Sequence, residues 1–249
     1  MRSSSPIIIL ALLLATGISC RTSYRAQNLQ YKEYHIEAGQ PKSDALQKML
    51  KPYNDSVWSS MNGVIGTADV ALEKKAAGGS LGNFMADAYF TMAKEKFGFP
   101  VDIAFMNYGG IRLTQLPAGP VTRGKIFELM PFDNVVVVQR MKGSQLKQLL
   151  DHIASRGGWP VAGMTMQMLD KKAVNVMIGG QPLDLNKTYI TVNSDFVANG
   201  GDDAFMLKSI KQESIGYLMR DALFDYINKL KQQGRNIPAD EKPRMVNAQ

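Results

Sequence analysis

The sequence is poor in the residues that most often carry metal or redox chemistry. It holds one cysteine, Cys20, and two histidines, His35 and His152, in 249 residues. A lone cysteine excludes an intrachain disulfide framework and any cysteine-cluster metal site. Neither histidine lies in a ligand-like cluster. Long hydrophobic runs are also missing, apart from Ile7 to Ala15, which is far short of the roughly 20 residues a membrane-spanning helix needs. No internal repeat and no low-complexity linker interrupts the rest.

The one apolar run has a specific setting. Arg2 precedes it, and small residues follow it to Cys20, in the order of a secretory signal. Residues 1–19 are therefore expected to be a signal peptide. Cys20 stands where such a leader ends, and the chain is expected to be a bacterial lipoprotein acylated there. "GISC" is a loose version of the usual lipobox, since Gly17 stands in place of its leucine and Ser19 in place of its glycine or alanine. The plainer reading is a chance cysteine in a leader. Residues 20–35 then read as anchor and polar tether, and 36–249 as the folded domain. The expected location is the cell envelope, lipid-anchored on the periplasmic side of the outer membrane.

The formal charge of +7 points to an anionic partner. The basic residues are scattered rather than striped among aromatics, which argues against a nucleic acid polymer. At 45% hydrophobic and 20% charged, the composition is that of an ordinary globular protein.

Periodicity predicts a helix over Ala45 to Tyr53, with Pro52 near its end. Another is predicted over Leu81 to Phe97, with Ser80 as its cap. "VIGTADVAL" is strand-like, and Val101 to Met106 reads as a buried strand. Thr122 should cap a short helix reaching Met130. "NVVVVQRMKG" is dense in β-branched residues, as central strands are, and Ser144 should cap the helix after it. "MTMQML", "AVNVMI" and "YITVNS" read as strands, with Gly179–Gly180 as a hairpin turn. An amphipathic helix is predicted from Ser214 to Gln232. This mixture, with hairpin-connected strands, is α+β in a single domain rather than a doubly wound parallel sheet.

Three polar, glycine-containing clusters flank these strands: "NYGGIR", "MPFDN" and "NSDFVANGGDDAF". Each has a bland explanation. Paired glycines serve turns, Arg112 could snorkel or pair with a surface carboxylate, phenylalanines usually fill cores, and Asp202 could brace its own loop. Together they suit one ligand class. Two phenyl rings can sandwich a planar base, an aspartate can accept from a ribose diol, and Asn and Arg can bond sugar or base oxygens and nitrogens.

The pieces "SLGNFMADA", "NYGGIR", "GKIFELMPFDNVVVVQRMKGSQLKQLL", "GGWPVAGMTM" and "VNSDFVANGGDDAF" occur in that order. In them the sequence resembles the C-terminal, nucleotide-recognising domain of the 5'-nucleotidase family. The resemblance implies a four-layer α/β/β/α domain. It implies base and ribose contacts for Asn107 and Arg112 in a loop built on Gly109 and Gly110. It further implies stacking roles for Phe132 and Phe196, and a ribose-diol acceptor in Asp202. A further family arginine precedes the "LGN" helix; Lys75 is near that place in a loop that differs. Tyr108, Ala162 and Asp203 are other departures, the last beside the implied sugar contact.

The family's hydrolysis resides in a separate N-terminal domain whose two-metal centre is rich in histidine. Such a centre needs several ligands to hold ions roughly 3.5–4 Å apart. Two scattered histidines do not supply them, and neither Asn107 nor Asn199 is followed by histidine. No catalytic residue, metal ligand or cofactor is therefore assigned to this chain, and it is expected to be inactive alone. His152 reads as a surface or packed histidine. The leader stands where the catalytic domain would precede. The expected partners are a nucleotide or nucleoside, a separate metallophosphatase polypeptide carrying the divalent metals, and a membrane through the lipid anchor. A ligand-binding lipoprotein without a catalytic partner is the alternative. An envelope protein that kept the fold but lost the ligand is a third.

Overall fold

The computed structural model describes residues 28, 30–35, 39, 41–77 and 79–248. The signal peptide, Cys20 and the first part of the tether lie outside them. Residues 30–35 of the tether are exposed and have no regular structure. Contacts divide the chain into Met1–Gln47 and Lys48–Gln249. Among the described residues no helix is long and apolar enough to cross a membrane.

The first helix, α1 (Asp44–Met61), runs eight residues beyond the predicted end at Tyr53 and takes Pro52 into its interior. Proline lacks the N–H for one intrahelical hydrogen bond, and the i,i+4 pair of Lys51 with Asp55 at 2.6 Å spans the step. None of its residues is buried. The strand-like "VIGTADVAL" is two short strands, β1 (Val64–Ala68) and β2 (Leu72–Glu73). The next helix, α2 (Gly79–Phe97), begins one residue before the expected cap. Ser80 does not cap it, because its hydroxyl accepts from the Glu73 backbone N–H at 3.0 Å and ties β2 to the helix.

The chain continues through β3 (Ile103–Phe105), β4 (Gln115–Leu116) and β5 (Gly119–Thr122) to α3 (Arg123–Leu129). Thr122 caps α3 as expected, accepting from Lys125 N–H at 3.2 Å. The β-branched run forms β6 (Val135–Lys142). It leads into α4 (Gly143–Ser155), whose start differs from the expected Ser144 cap. There the N–H groups of Gly143 and Ser144 donate to the carbonyls of Lys187 and Leu185, at 2.8 and 3.0 Å. A tertiary turn thus satisfies donors that a capping side chain would otherwise take. A Cβ on Gly143 would lie 2.0 Å from the Asp184 carbonyl oxygen, so only glycine permits this approach.

Next come β7 (Val161–Ala162), β8 (Met164–Leu169), β9 (Lys172–Ile178), β10 (Gln181–Pro182) and β11 (Thr188–Ser194), then the single turn α5 (Asp195–Ala198). Gly179 and Gly180 have φ of 56° and 80° and close the β9–β10 hairpin, as expected. The predicted Ser214–Gln232 helix is instead a strand, β12 (Gln212–Leu218), followed by α6 (Met219–Gln232). Apolar spacing could not see that Gln212 to Ser214 pair with β6, or that Gly216 takes φ 73° within the segment. Edge pairing prevails over helical periodicity there. Last is β13 (Met245–Asn247).

The fold is mixed α+β, as expected. A five-stranded sheet has the order β12-β6-β11-β3-β7, and a four-stranded sheet the order β10-β9-β8-β13. The alternation of strand side chains sends residues to two cores. Ala104, Val136, Val138 and Val192 face a core completed by α2 and α6, including Phe84, Met85, Tyr89, Leu223 and Ile227. Ile103, Phe105, Met141 and Tyr189 face the other, with Leu146, Leu149 and Leu150 of α4 and Met164 and Met166 of β8.

Pairing within the larger sheet positions three loops. Strand β3 runs parallel to β11, and β11 antiparallel to β6, with Ser194 opposite Val136. The chain leaving β3, the chain leaving β11 and the chain entering β6 therefore meet at one end of the sheet.

Candidate functional site

Those three loops carry the three clusters singled out in the sequence, and they enclose a cavity of about 410 Å³. Asn107, Gly109, Gly110, Arg112, Phe132, Phe196 and Asp202 all line it. Met106, Met130 and Met219 add an apolar, polarisable contribution, and Asn134 and Ser194 complete the wall. A larger, more open depression of about 590 Å³ lies between α2 and α6. Its charges are spent on one another: Lys96 pairs with Asp225 at 2.8 Å, and Lys229 with Glu95.

The two phenyl rings are not core residues. Phe132 is 37% exposed and Phe196 45%, although each follows or precedes a buried strand. Rings left facing a cavity are platforms for a flat apolar surface. Neither sits there by chance. Asp195 Oδ1 accepts from Asn134 Nδ2 at 3.0 Å, Val135 N–H at 3.1 Å and Phe196 N–H at 2.9 Å. This one carboxylate oxygen joins the loop of Phe132 to that of Phe196. Arg220, buried at the start of α6, donates to the carbonyls of Met130 and Phe132 at 3.3 and 3.1 Å and to Asp133 at 2.7 Å. Sequence reading missed both residues. Asp195 directly precedes Phe196 in its motif, which was an available signal. Arg220 was masked by a helix prediction that began too early.

The "NYGGIR" loop is a single 3-10 turn over Tyr108–Gly110. Its glycines are not there for positive φ, since neither Gly109 nor Gly110 has it. A Cβ on Gly110 would lie 3.0 Å from Met106 Cε and 3.1 Å from Asn107 Oδ1, so close approach is what glycine permits. Asn107 is buried and donates from Nδ2 to Asp202 Oδ2 at 2.7 Å. Arg112 Cζ stands 5.8 Å from the centroid of Phe132. Among the described residues no carboxylate pairs with Arg112, whose Nη1 donates to the Gly109 carbonyl at 3.5 Å.

The cation beside this loop is Lys74 rather than Lys75. Lys74 Nζ donates to the Ile111 carbonyl at 2.8 Å and lies 3.9 Å from the Tyr108 ring centroid. Burial, and next the charge of Arg112, hold its ammonium below the ordinary lysine pKa. Lys75 turns away to an exposed pair with Glu73 at 2.9 Å.

The third loop runs through left-handed backbone. Asp202 has φ 50° and ψ 37°, Asp203 φ 60° and Gly200 φ 89°. The Phe196 ring lies on Gly201, where a Cβ would come within 2.4 Å of Cε1. Asp203 forms an ion pair with Arg156. His152 is packed, its ring edge-on to Trp159 at 6.1 Å between centroids and its Nε2 2.9 Å from the Asp202 carbonyl oxygen.

The lining residues include one carboxylate and no histidine. His35 sits 3.3 Å from Glu33 in an exposed pair, and among the described residues no group of three or more His, Cys, Asp or Glu side chains could hold a metal. The described residues do not fit a two-metal centre. The site offers aromatic faces, a carboxylate and a guanidinium, which is chemistry for holding a ligand.

Residues 64–209 match the model of the 5'-nucleotidase C-terminal domain. The chain is 34% identical over 128 residues to a 5'-nucleotidase of Vibrio cholerae, covering 49% of this chain and 22% of that protein. It is 25% identical over 255 residues to an apyrase of Tabanus yao, covering 88% of this chain and 46% of the apyrase. In three dimensions it is similar to a 5'-nucleotidase precursor from Thermus thermophilus. The TM-score is 0.70 at 28% identity, over 83% of this chain and 44% of that one. The chain thus spans less than half the length of these relatives.

Proposed function

The chain belongs to the 5'-nucleotidase C-terminal domain family, and from that premise we propose that it is the nucleoside-recognising half of a nucleotide-dephosphorylating system. The reading rests on one observation. Phe132 and Phe196, both partly exposed, share a cavity with the hydrogen-bonded pair Asn107–Asp202 and with Arg112, whose guanidinium meets no carboxylate among the described residues. A base stacks on the rings, its ribose diol donates to Asp202, and Arg112 meets oxygen-rich groups of sugar or phosphate.

In this proposal the metallophosphatase is a separate polypeptide that holds the divalent metals and cleaves the phosphoester. The two meet outside the cytoplasm, where this chain is held by a lipid on Cys20 at the periplasmic side of the outer membrane. The leader composition supports export, and the two-histidine content supports a separate metal centre. The outcome is nucleotide breakdown and nucleoside salvage.

Calorimetry on the purified chain with adenosine, uridine and their 5'-monophosphates tests recognition. Phosphate release, with and without an added metallophosphatase, tests the division of labour. Binding is expected from this chain alone, and release only with the partner. Metal-stimulated release by the pure chain, abolished by Phe132→Ala, would overturn the split. Binding with no gain from any metallophosphatase would leave a ligand-binding protein instead.

A further inference from the structure

Asp202 and Asp203 occupy left-handed backbone at φ 50° and 60°; aspartate enters this region as a single residue, and two in succession call for support from the surroundings. Two side chains at the C-terminal end of α4 contact this turn. His152 Nε2 lies 2.9 Å from the Asp202 carbonyl oxygen, and Arg156, one turn further on, pairs with the Asp203 carboxylate. Since a carbonyl only accepts, the imidazole nitrogen is the donor there. His152 is fixed from behind, its ring edge-on to Trp159 at 86°, and Trp159 packs on Phe105 at 6.4 Å between centroids. Trp159 and Phe105 are buried in the same core as Leu149 and Ile153 of α4. A rigid line therefore runs from the core, through Trp159 and His152, to the backbone of Asp202. On the other side of that residue, its carboxylate accepts from Asn107 at 2.7 Å and lines the cavity.

We propose that His152, with Arg156, is a positioning residue that locks the Asp202–Asp203 turn in its left-handed form, so that the Asp202 carboxylate faces a ribose diol before the ligand arrives. This rests on the nucleoside reading of the cavity. Preorganisation of this kind raises affinity for the group recognised by the aspartate and leaves base stacking untouched. It therefore separates from a general loss of structure.

Two measurements on the full chain decide it, each for wild type, His152→Ala, His152→Gln and Arg156→Gln. The first needs no ligand: the 13Cα and 13Cβ chemical shifts of Asp202 and Asp203 report their backbone angles. They are expected to leave left-handed values in His152→Ala and to keep them in His152→Gln, whose amide still donates. Arg156→Gln is expected to move Asp203 more than Asp202. The second is the affinity ratio between uridine and 2',3'-dideoxyuridine. It is expected to fall roughly tenfold in His152→Ala, through weaker uridine binding alone, and to recover in His152→Gln. Unchanged shifts in His152→Ala, or equal losses for both nucleosides, would overturn the proposal. If the wild type binds neither nucleoside, the nucleoside reading falls, and the shifts still decide whether His152 sets the turn.

Discussion

The side-chain amide of Asn107 donates at 2.7 Å to the carboxylate of Asp202, a residue 95 positions further along the chain. This bond joins the loop after β3 to the loop after α5 in the wall of the cavity.

The pair should be energetically coupled. In a double-mutant cycle by urea unfolding, Asn107→Ala and Asp202→Ala together are expected to cost about 1.5–3 kcal/mol less than the sum of the single variants, the scale of a hydrogen bond to a charged group. Strict additivity would show that the bond contributes nothing.

Removing either platform should weaken ligand binding far more than folding. Phe132→Ala and Phe196→Ala are each expected to lose about 1–3 kcal/mol of nucleoside affinity by calorimetry, the usual worth of one stacked base. Their melting temperatures should stay close to wild type, since the rings are 37% and 45% exposed. A large drop in melting temperature with intact binding would assign the rings to the core instead.

Two glycines near the cavity should behave differently. Gly201→Ala places a methyl 2.4 Å from the Phe196 ring, whereas Gly109→Ala meets nothing closer than 3.6 Å, at Asn107 Nδ2. The first should displace the ring and weaken nucleoside binding, seen as a higher Kd and a moved Phe196 in a crystal structure. The second should leave Phe196 in place. The opposite ranking of ring displacement would contradict the packing described.

The Asp195 carboxylate is expected to matter for folding as well as for the site. Asp195→Ala leaves three nitrogen donors without their shared acceptor. It should destabilise the protein by about 2–3 kcal/mol in chemical denaturation and lower nucleoside affinity by freeing both phenyl-bearing loops. Asp195→Asn, which retains an acceptor oxygen, should recover part of both losses.

Stability at acid pH should depend on the C-terminal tail. Burial works against the charge on Asp240, but its bonds to Arg244 and to the Lys242 backbone N–H, with the two positive charges, hold its carboxyl below the ordinary value of 3.8. A folded-state pKa below the unfolded one contributes stability that is full above the unfolded value and is lost as pH falls through the folded one. Acid titration should therefore show a loss beginning below about pH 4 that is shallower in Asp240→Asn. Identical acid profiles would remove Asp240 from the linkage.

Much of this was open to a reader of the sequence, for physical reasons that are local. Thr122 could be named as a cap, and Gly179–Gly180 as a hairpin turn, because a few adjacent residues settle such features. Strands β6 and β11 declare themselves by β-branched density. All seven residues picked from the three clusters line one cavity, because each cluster borders a strand end. The misread features depend on remote partners. Ser80 and Ser144 have capping side chains, yet the Glu73 amide claims one and the carbonyls of Leu185 and Lys187 replace the other. Ser214 to Leu218 reads as the start of a helix by its spacing, yet Ser214 and Leu218 pair with β6. Lys74 and Lys75 are adjacent and chemically identical; only the path of the chain sends one to Ile111 and the other to Glu73.

The amino-acid order was sufficient for the chemistry on offer: phenyl faces, an aspartate and an arginine. Convergence is a different matter. That Phe132, Phe196, Asn107 and Asp202 share one cavity follows from β3 running parallel to β11 while β11 runs antiparallel to β6, which gathers three strand ends on one side. Hydrogen-bond pairing between strands far apart in the chain carries no local pattern. Neither does the contact from His152 to the Asp202 backbone, through which the core reaches the site.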